Sequence, residues 1–357
     1  GYRYPHAYAE HWVAQQYLPT ALQGQLFWQP GSQGWEGERR QRLQRRRAAQ
    51  LAAAAEHNAE LGEVLSSGPE DPTLGPWLQR QLATEGERLD QLRQRLWHDA
   101  PWQRHQRTLI LEARSLLWAL DPLEHCPEGG VMIQAASADD RLRLEAQLQV
   151  LDSIGRPELM LDDLPGLAER LERGHQFEWI AGRHPLRQGD PQRLRQNLQA
   201  LSHLAAAEAQ LRLLFSQPAL GPAMALRALP GLPAALKDLL EPVAAAEPEW
   251  LATPPEPSAL EQELIAQGWH TPTWERWPEQ LELTLSSELL ERWFAAKAPY
   301  RQQLSNLLSQ PQIQRLLEGL RPLCGLPLPQ RLDHTLLLSR RSKRRQQKAP
   351  AKPGPKS

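Results

Sequence analysis

Three polar residues stand where strand-like segments of the sequence end. Glu112 closes the run TLILEA, Gln134 lies in VMIQA, and Asp162 follows PELML. In an open α/β sheet, ligands bind in the crevice outside the carboxyl ends of the strands, so these side chains are expected to face a common cleft. Their side-chain oxygens could accept hydrogen bonds from the hydroxyl or amine groups of a ligand.

The residues that surround these positions do not suit a bound nucleoside cofactor. In LILEARSLLW, Arg114 and Leu116 occupy positions where glycines would let the backbone approach a cofactor, and we expect their side chains to fill its space. Gln134 offers one carbonyl acceptor and no charge in place of a ribose-binding carboxylate. Asp162 is either an acceptor for an adenine amine or a solvated turn acid. The site at Glu112, Arg114, Gln134 and Asp162 is therefore predicted to be degenerate.

The segments that position these residues alternate between strand and helix. TLILEA, GGVMIQAAS, PELMLDD and FEWIAG are short apolar runs bounded by turn residues, and ADDRLRLEAQLQVLDSIG has helical periodicity. Strands joined in this rhythm pair in parallel through right-handed crossovers, with helices on both faces. The predicted fold class is α/β, with a doubly wound, mostly parallel sheet behind a helical amino-terminal segment. LELTL and LDHTLLL are predicted to add two late strands.

Composition limits the classes of protein that fit. The 357 residues are 23% charged and 41% hydrophobic, which is typical of a globular chain, and the length favours two units. The sequence contains no apolar run long enough to span a membrane and no signal peptide, so we expect a cytoplasmic protein with no membrane partner. Cys126 and Cys324 fit a reduced compartment better than a disulfide, and no metal-ligand spacing occurs, so no metal site is expected.

Two helices are predicted before the sheet. Residues 39–65 contain the cluster RRQRLQRRR, which is either a solvated helix face or a contact for DNA phosphates. A second helix in WLQRQLATEGERLDQLRQRLW carries a narrow leucine stripe that requires a partner. The stripe consists of Leu78, Leu82, Leu89, Leu92 and Leu96. We interpret residues 56–103 as a helical linker.

The carboxyl end is strongly basic. Residues 340–357, RRSKRRQQKAPAKPGPKS, contain eight basic side chains and no acid. Prolines and the absence of apolar side chains predict a disordered tail. It either contacts nucleic-acid phosphates or aids solubility. The candidate phosphate contacts are Arg340, Arg341, Lys343, Arg344 and Arg345.

Three tryptophans near residue 270 allow two interpretations. Trp269, Trp274 and Trp277 lie in GWHTPTWERWPEQ, which Pro272 and Pro278 mark as a loop. The rings form either a packed structural cluster or a platform for stacking bases. Elsewhere the sequence contains no nucleophile with a paired base and no phosphate-binding loop of the ATPase type.

The opening segment YRYPHAYAEHWVAQQYLPTALQGQLFWQPGSQGWEGERRQRL resembles the carboxyl end of the RarA (MgsA) family of AAA+ ATPases, which act in DNA replication, recombination and repair. The resemblance covers residues 1–47. It implies an oligomerisation region within residues 1–55, a homotetramer, and a preceding ATPase domain that would bind ATP and Mg²⁺. It also implies DNA and single-strand-binding protein as partners. The matching residues, expected to pack in that assembly, are Tyr4, Pro5, His6, Trp12, Gln16, Tyr17, Leu18 and Pro19.

The remainder resembles the extra domain that follows this ATPase in cyanobacterial fusion proteins, and that domain is similar to a class I methyltransferase. PEGGV, FEWIAGRHPL, ERWF and LPQRLDHTLLL carry the resemblance. It implies a methyltransferase-like domain at residues 104–339 and S-adenosylmethionine as its cofactor.

Three departures oppose catalysis in that domain: the missing glycines, Gln134, and the segment GRHPL. In GRHPL, His184 and Leu186 replace an amine-binding Asn/Asp-Pro-Pro-aromatic loop. We therefore expect an interaction module without a cofactor of its own, whose methyltransferase-like domain is inactive. The alternative is an active S-adenosylmethionine-dependent methyltransferase that uses a different loop.

Overall fold

The computed structural model describes residues 45–49, 51–53, 76–148, 156–171, 176–187, 189–252 and 255–342. Several predictions lie outside these residues. They concern the packing residues Tyr4 to Pro19, most of the arginine cluster, the side chains of Leu78 and Leu82, and the tail residues Lys343, Arg344 and Arg345.

Seven strands form one sheet in the order β3-β2-β1-β4-β5-β7-β6. The strands are β1 (Thr108–Ala113), β2 (Val131–Ala135), β3 (Glu158–Met160), β4 (Phe177–Arg183), β5 (Ala205–Pro218), β6 (Thr273–Thr284) and β7 (Pro327–Arg340). The first five strands pair in parallel, and β7 lies antiparallel between β5 and β6. The predicted doubly wound, mostly parallel α/β sheet is therefore confirmed. Strand order reverses between β1 and β4.

Helices connect the strands, and polar caps set several of their starts. The helices are α1 (Pro76–Leu96), α2 (Leu120–His125), α3 (Ala138–Leu148), α4 (Leu164–Arg170), α5 (Pro191–Leu204), α6 (Pro222–Arg227), α7 (Ala234–Leu251), α8 (Pro257–Ala266), α9 (Ser287–Phe294), α10 (Pro299–Leu307) and α11 (Gln310–Leu320). Asp163 accepts a hydrogen bond from the backbone of Gly166 at the start of α4, and Asp190 accepts one from Gln192 at the start of α5. Such caps satisfy N–H groups that have no partner inside the helix.

The two faces of the sheet bury alternate residues of each strand. Leu109 and Leu111 of β1 pack with leucines of α4, α5 and α8, whereas Ile110 packs on the opposite face with α1 and α3. Near-continuous apolar strands covered on both faces are typical of parallel sheets. None of the helices in the described part of the chain combines the length and apolar composition that a membrane span requires.

Helix α1 packs on the sheet rather than linking two domains. Leu89, Leu92 and Leu96 are buried in the same cluster as Ile110 of β1. Arg212 of β5 secures the carboxyl end of the helix, because its Nη1 donates to the carbonyls of Leu96 at 2.9 Å and His98 at 2.8 Å. The sheet is therefore the partner of Leu89, Leu92 and Leu96 of the leucine stripe, and this part of the predicted linker 56–103 packs with the sheet domain.

A third apolar cluster joins α6, α7 and α9 to α11 beside the β6–β7 pair. Glu247 of α7 is fully buried at its centre. Its carboxylate accepts from the backbone N–H groups of Ala223 at 2.5 Å and Met224 at 3.1 Å, and from the Tyr300 hydroxyl at 2.9 Å. The glutamate therefore caps α6 and ties three helices together.

The tryptophan segment is mostly strand, so its interpretation as a loop is wrong. Trp274, Trp277 and Pro278 lie within β6, the edge strand, where proline is tolerated. Trp269 is buried and donates to Ser202 Oγ at 2.9 Å, while Trp274 donates to Glu261 at 2.9 Å. These contacts favour the structural interpretation, and burial makes Trp269 unavailable for base stacking.

The first residues of the predicted basic tail belong to the fold. Arg340 ends β7 and forms an ion pair with Glu208 at 2.9 Å. The backbone of Arg341 forms an antiparallel β-bridge with Trp269. Its guanidinium carbon lies 5.6 Å from the centre of the Trp269 ring, and its Nη1 donates to the carbonyl of Gln267. The predicted disordered tail therefore begins too early, since Arg340 and Arg341 extend the sheet.

Candidate ligand-binding cleft

A cavity of about 140 Å³ lies at the carboxyl ends of β1, β2 and β4. Strand order reverses between β1 and β4, which is where open α/β sheets bind their ligands. Three loops supply the lining, with one aromatic ring from the turn after β1. The lining residues are Glu112, Ala113, Arg114, Trp118, Ala136, Arg183, His184 and Arg187.

The chain leaves β1 through a tight, non-glycine turn. Glu112 has a φ of 44°, and the pairing of β1 with β2 shifts register between Ile110 and Ala113. Arg114 lines the cavity, and a buried 3-10 turn follows at Leu116–Ala119. The expectation that Leu116 fills the cofactor's space is wrong, because its side chain joins the core and its N–H donates to Gln147 at 3.1 Å.

The loop after β4 closes the opposite side of the cleft. His184 and Leu186 have φ values of 53° and 65°, on either side of Pro185. The N–H of His184 donates to the carbonyl of Leu214 on β5 at 2.8 Å. Left-handed backbone at a non-glycine residue costs about 1–3 kcal/mol, and such strain concentrates at functional sites. Three of the five such residues in the described part of the chain are therefore notable here: Glu112, His184 and Leu186.

Positive charge dominates the lining of the cleft. Arg114, Arg183 and Arg187 contribute three guanidinium groups against the single carboxylate of Glu112. Burial raises the pKa of Glu112, although a backbone hydrogen bond from Leu186 and the charges of Arg114 and Arg187 act in the opposite direction. Burial is the largest cause, so the net direction of the pKa shift is upward.

The histidine in the cleft is neutral at neutral pH. Burial holds the pKa of His184 well below its usual value, and the charges of Arg183, Arg187, Arg114 and Arg88 lower it further. A proton on this imidazole would add a fourth positive charge to a confined space. Burial is the larger cause of the lowered pKa, and the neighbouring arginine charges add to it.

Gln134 and Asp162 lie beside the cavity but do not line it. Gln134 is buried, and its Nε2 donates to the carbonyl of Asp162 at 2.8 Å. Its Oε1 has no hydrogen-bond partner among the described residues. The Asp162 carboxylate pairs with Arg170 at 2.7 Å. Of the four predicted site residues, Glu112 and Arg114 lie together at the cavity. Gln134 is bonded to the segment that follows β3, and Asp162 is paired with an arginine of α4.

Sequence reasoning missed the arginines of the β4 loop. Arg183 and Arg187 both lie within the segment GRHPLR and line the cavity. The guanidinium of Arg183 lies 5.5 Å from the centre of the Trp118 ring. A cation held on an aromatic face keeps a fixed direction. The available signal was the concentration of basic residues directly after a strand, at positions where loops reach the ligand site.

A second polar cluster lies inside the sheet. Ser216 Oγ is 2.8 Å from His334 Nδ1, and His334 Nε2 is 2.7 Å from Glu279 Oε2, across β5, β7 and β6. The residue types match a nucleophile, base and orienting acid. Ser216 and His334 are only 2% and 1% exposed, which leaves no space for a substrate. The cluster is therefore a structural hydrogen-bond relay.

The donor set of the cleft suits an oxyanion. Guanidinium groups bind phosphate and carboxylate through paired N–H donors. S-adenosylmethionine instead carries a sulfonium cation and requires space for its nucleoside. Pockets for small-molecule ligands occupy about 300–1,000 Å³, whereas this cavity has a volume of about 140 Å³. The three arginines of the lining would repel a sulfonium, and Gln134 supplies no carboxylate for a ribose.

Strand order and pairing define an α/β domain with the class I methyltransferase fold. Residues 1–47 match the family model described as the carboxyl-terminal part of the MgsA AAA+ ATPase. The chain therefore joins a 47-residue segment that is similar to the carboxyl-terminal part of this ATPase family to a domain with the methyltransferase fold. Curated protein sequences gave no significant match.

Solved structures of enzymes are similar to this chain at low identity. One is the geranyl diphosphate C-methyltransferase from Streptomyces coelicolor, at 9% identity and a TM-score of 0.40, covering 84% of this chain and 98% of that one. Another is the cyclopropane synthase MmaA2 from Mycobacterium tuberculosis, at 11% identity and a TM-score of 0.40, covering 82% of this chain and 94% of that one. The fold assignment rests on the strand order of the chain itself.

Proposed function

We propose that this chain is a carboxyl-terminal interaction and oligomerisation part of a RarA-type DNA replication and recombination ATPase, and that its methyltransferase-like domain has lost catalysis. The match of residues 1–47 supports the first half of the proposal. The observation that supports the loss of catalysis is the cleft, because three arginines line the end of the sheet where this fold would bind a cofactor.

The loss of catalysis is argued from the residues around the cleft. A sulfonium cation would meet Arg114, Arg183 and Arg187, and like charges at short range in a small cavity repel. The buried Gln134 is already bonded to the backbone of Asp162 and presents no carboxylate to a ribose. Binding of S-adenosylmethionine is therefore unfavourable, and no other cofactor is assigned to this chain.

The assembly and the partners are proposed from the family match. Self-association as a homotetramer, and binding of DNA and single-strand-binding protein, would belong to the whole ATPase. ATP and Mg²⁺ would bind to its ATPase domain, and the expected location is the cytoplasm. The basic residues beyond 342 would add contacts to DNA phosphates.

An active methyltransferase is the second candidate function. The cavity at the reversal of strand order favours it, together with the strained backbone of Glu112, since both are features of working sites. In that case a loop other than the one after β1 would hold the cofactor.

Calorimetric titration of the intact chain with S-adenosylmethionine separates the two candidates. We expect a dissociation constant no tighter than about 1 mM, which corresponds to about −4 kcal/mol. The variant Arg114→Gly tests whether the arginine alone blocks the site, and Arg141→Gly on α3 is its control. A micromolar dissociation constant for the unmodified chain would make the methyltransferase the leading candidate.

A further inference from the structure

The cleft at the ends of β1 and β4 presents cations to a confined space. We propose that it binds the terminal phosphate of a phosphomonoester through Arg114, Arg183 and Arg187. The proposal concerns the same cleft as the proposed function. It stands or falls separately, because phosphate binding is measured without S-adenosylmethionine.

The first support is the arrangement of charge. Arg114 follows β1, while Arg183 ends β4 and Arg187 lies in the loop after it, so two loops direct cations toward one cavity. Like charges that share a cavity repel one another, and an anion between them relieves that repulsion. A phosphomonoester carries nearly two negative charges at neutral pH, which matches three arginines and one partly compensating glutamate.

The second support is rigidity. Arg183 is buried and lies over the ring of Trp118, so its guanidinium is fixed before any ligand arrives. The bond between the Glu112 carboxylate and the N–H of Leu186, at 3.0 Å, holds the two arginine-bearing loops at a set separation. Preorganised donors lose little conformational entropy on binding.

The third support is size and neutral surroundings. A cavity of about 140 Å³ holds a few water molecules, at about 30 Å³ each, and so has room for a tetrahedral oxyanion. Ala113 and Ala136 complete the wall without adding charge. Neutral His184 provides a ring nitrogen that gains a proton more readily once an anion has entered, since the anion offsets the four arginines around it.

The phosphate has two possible sources, a free nucleotide or the phosphorylated end of a nucleic acid. Both present the same terminal group to the arginines. Only a nucleic acid would also extend from the cleft across the protein surface. The experiment therefore includes a probe for each source.

The test uses the intact chain and two variants of half-buried arginines, Arg114→Gln and Arg187→Gln. Inorganic phosphate, AMP and a short single-stranded oligonucleotide with or without a 5′-phosphate are titrated by calorimetry. We expect phosphate and AMP to bind in the millimolar range or tighter, and each variant to weaken binding about tenfold. The control Arg141→Gln removes an arginine from the surface of α3 and should change nothing.

The outcomes separate the sources and test the claim. A 5′-phosphate that strengthens oligonucleotide binding at least tenfold, with the gain lost in Arg114→Gln, assigns the cleft to nucleic-acid ends. AMP binding as tightly as the phosphorylated oligonucleotide assigns it to free nucleotides. No binding of any phosphate probe, or equal weakening by Arg141→Gln, overturns the proposal. Circular dichroism of each variant establishes that it is folded.

Discussion

Glu112 and Leu186 are joined across the cleft by a hydrogen bond from the backbone N–H of Leu186 to Glu112 Oε1, at 3.0 Å. Both residues have positive φ, at 44° and 65°. The contact links the end of β1 to the loop after β4, which are separated by 74 positions in the sequence. It therefore fixes the shape of a site in which loops from both halves of the sheet meet.

Replacing Glu112 tests this link. Glu112→Ala leaves the N–H of Leu186 without its acceptor, and we expect a loss of about 1–3 kcal/mol in the free energy of unfolding. Glu112→Gln keeps a carbonyl oxygen at the position and should cost less. Urea denaturation at pH 7 measures both. Equal losses in the two variants would show that the hydrogen bond does not stabilise the cleft.

The carboxyl of Glu112 also predicts a dependence of stability on pH. Its pKa is raised in the folded state, mainly by burial, so the folded chain holds this proton more tightly than the unfolded chain does. Its contribution to the free energy of unfolding therefore decreases as pH rises from the ordinary carboxyl pKa through the raised one. Glu112→Gln should remove that decrease, and denaturation at pH 4, 5, 6 and 7 would reveal the difference.

His184 predicts the opposite dependence. Its pKa is depressed in the folded state, so the unfolded chain binds a proton first as pH falls below about 6.5. The stability that neutral His184 contributes is present above that pH and is lost as pH falls toward the depressed value. The variant His184→Asn tolerates the positive φ and does not titrate, so it should show a weaker loss between pH 7 and 5.

His270→Asn is the control for this experiment, because His270 is exposed. Chemical denaturation at pH 7 and pH 5 gives the comparison. If His184→Asn loses as much stability on acidification as the unmodified chain, the histidine is not the group that titrates.

The Ser216–His334 contact predicts strong coupling inside the sheet. Removing His334 leaves a buried hydroxyl and the Glu279 carboxylate without a shared partner. We expect His334→Ala to cost about 2–4 kcal/mol, and the double variant with Ser216→Ala to cost less than the sum of the single variants. A double-mutant cycle by urea denaturation measures this. Additive losses would contradict a direct interaction.

DNA binding by the tail predicts a dependence on salt. Residues 343–357 contain six basic side chains, and contacts with six phosphates give a slope of about −5 in log affinity against log salt for duplex DNA. Removing these residues should abolish most of the slope, whereas Arg340 and Arg341 stay because they belong to the sheet. Fluorescence anisotropy at 50–200 mM salt tests this. An unchanged slope would move the contact to another surface.

Local patterns predicted strands β1 to β4 and β7, part of β6, and helices α1 and α3, whereas β5 and most of the other helices were not predicted. TLILEA and FEWIAG form β1 and β4 because short apolar runs between turn residues fit a sheet that is covered on both faces. LELTL predicted the second half of β6, but the first half was missed because Pro278 indicates a loop in isolation. Only the position of the strand at the edge of the sheet makes proline compatible with it.

The cleft was predicted in part. Its place at the end of β1 follows from sequence, since Glu112 and Arg114 directly follow an apolar run. The side chain of Leu116 is directed into the core by a 3-10 turn, which no short sequence motif predicts. Arg183 and Arg187 come close to Arg114 only because β1 pairs with β4. These are long-range relationships, which a local pattern does not contain.

Strand β6 lies at one edge of the sheet, so its unpaired side could form hydrogen bonds with a strand of another molecule. An unprotected edge strand recruits the backbone of another molecule, which leads to aggregation. In β6, Pro278 lacks the N–H group that such pairing requires, and the charged side chains of Glu275 and Arg276 are exposed beside it. Growth of the sheet through the β6 edge is therefore disfavoured. Contact between two chains at this edge would have to use side chains instead of backbone pairing.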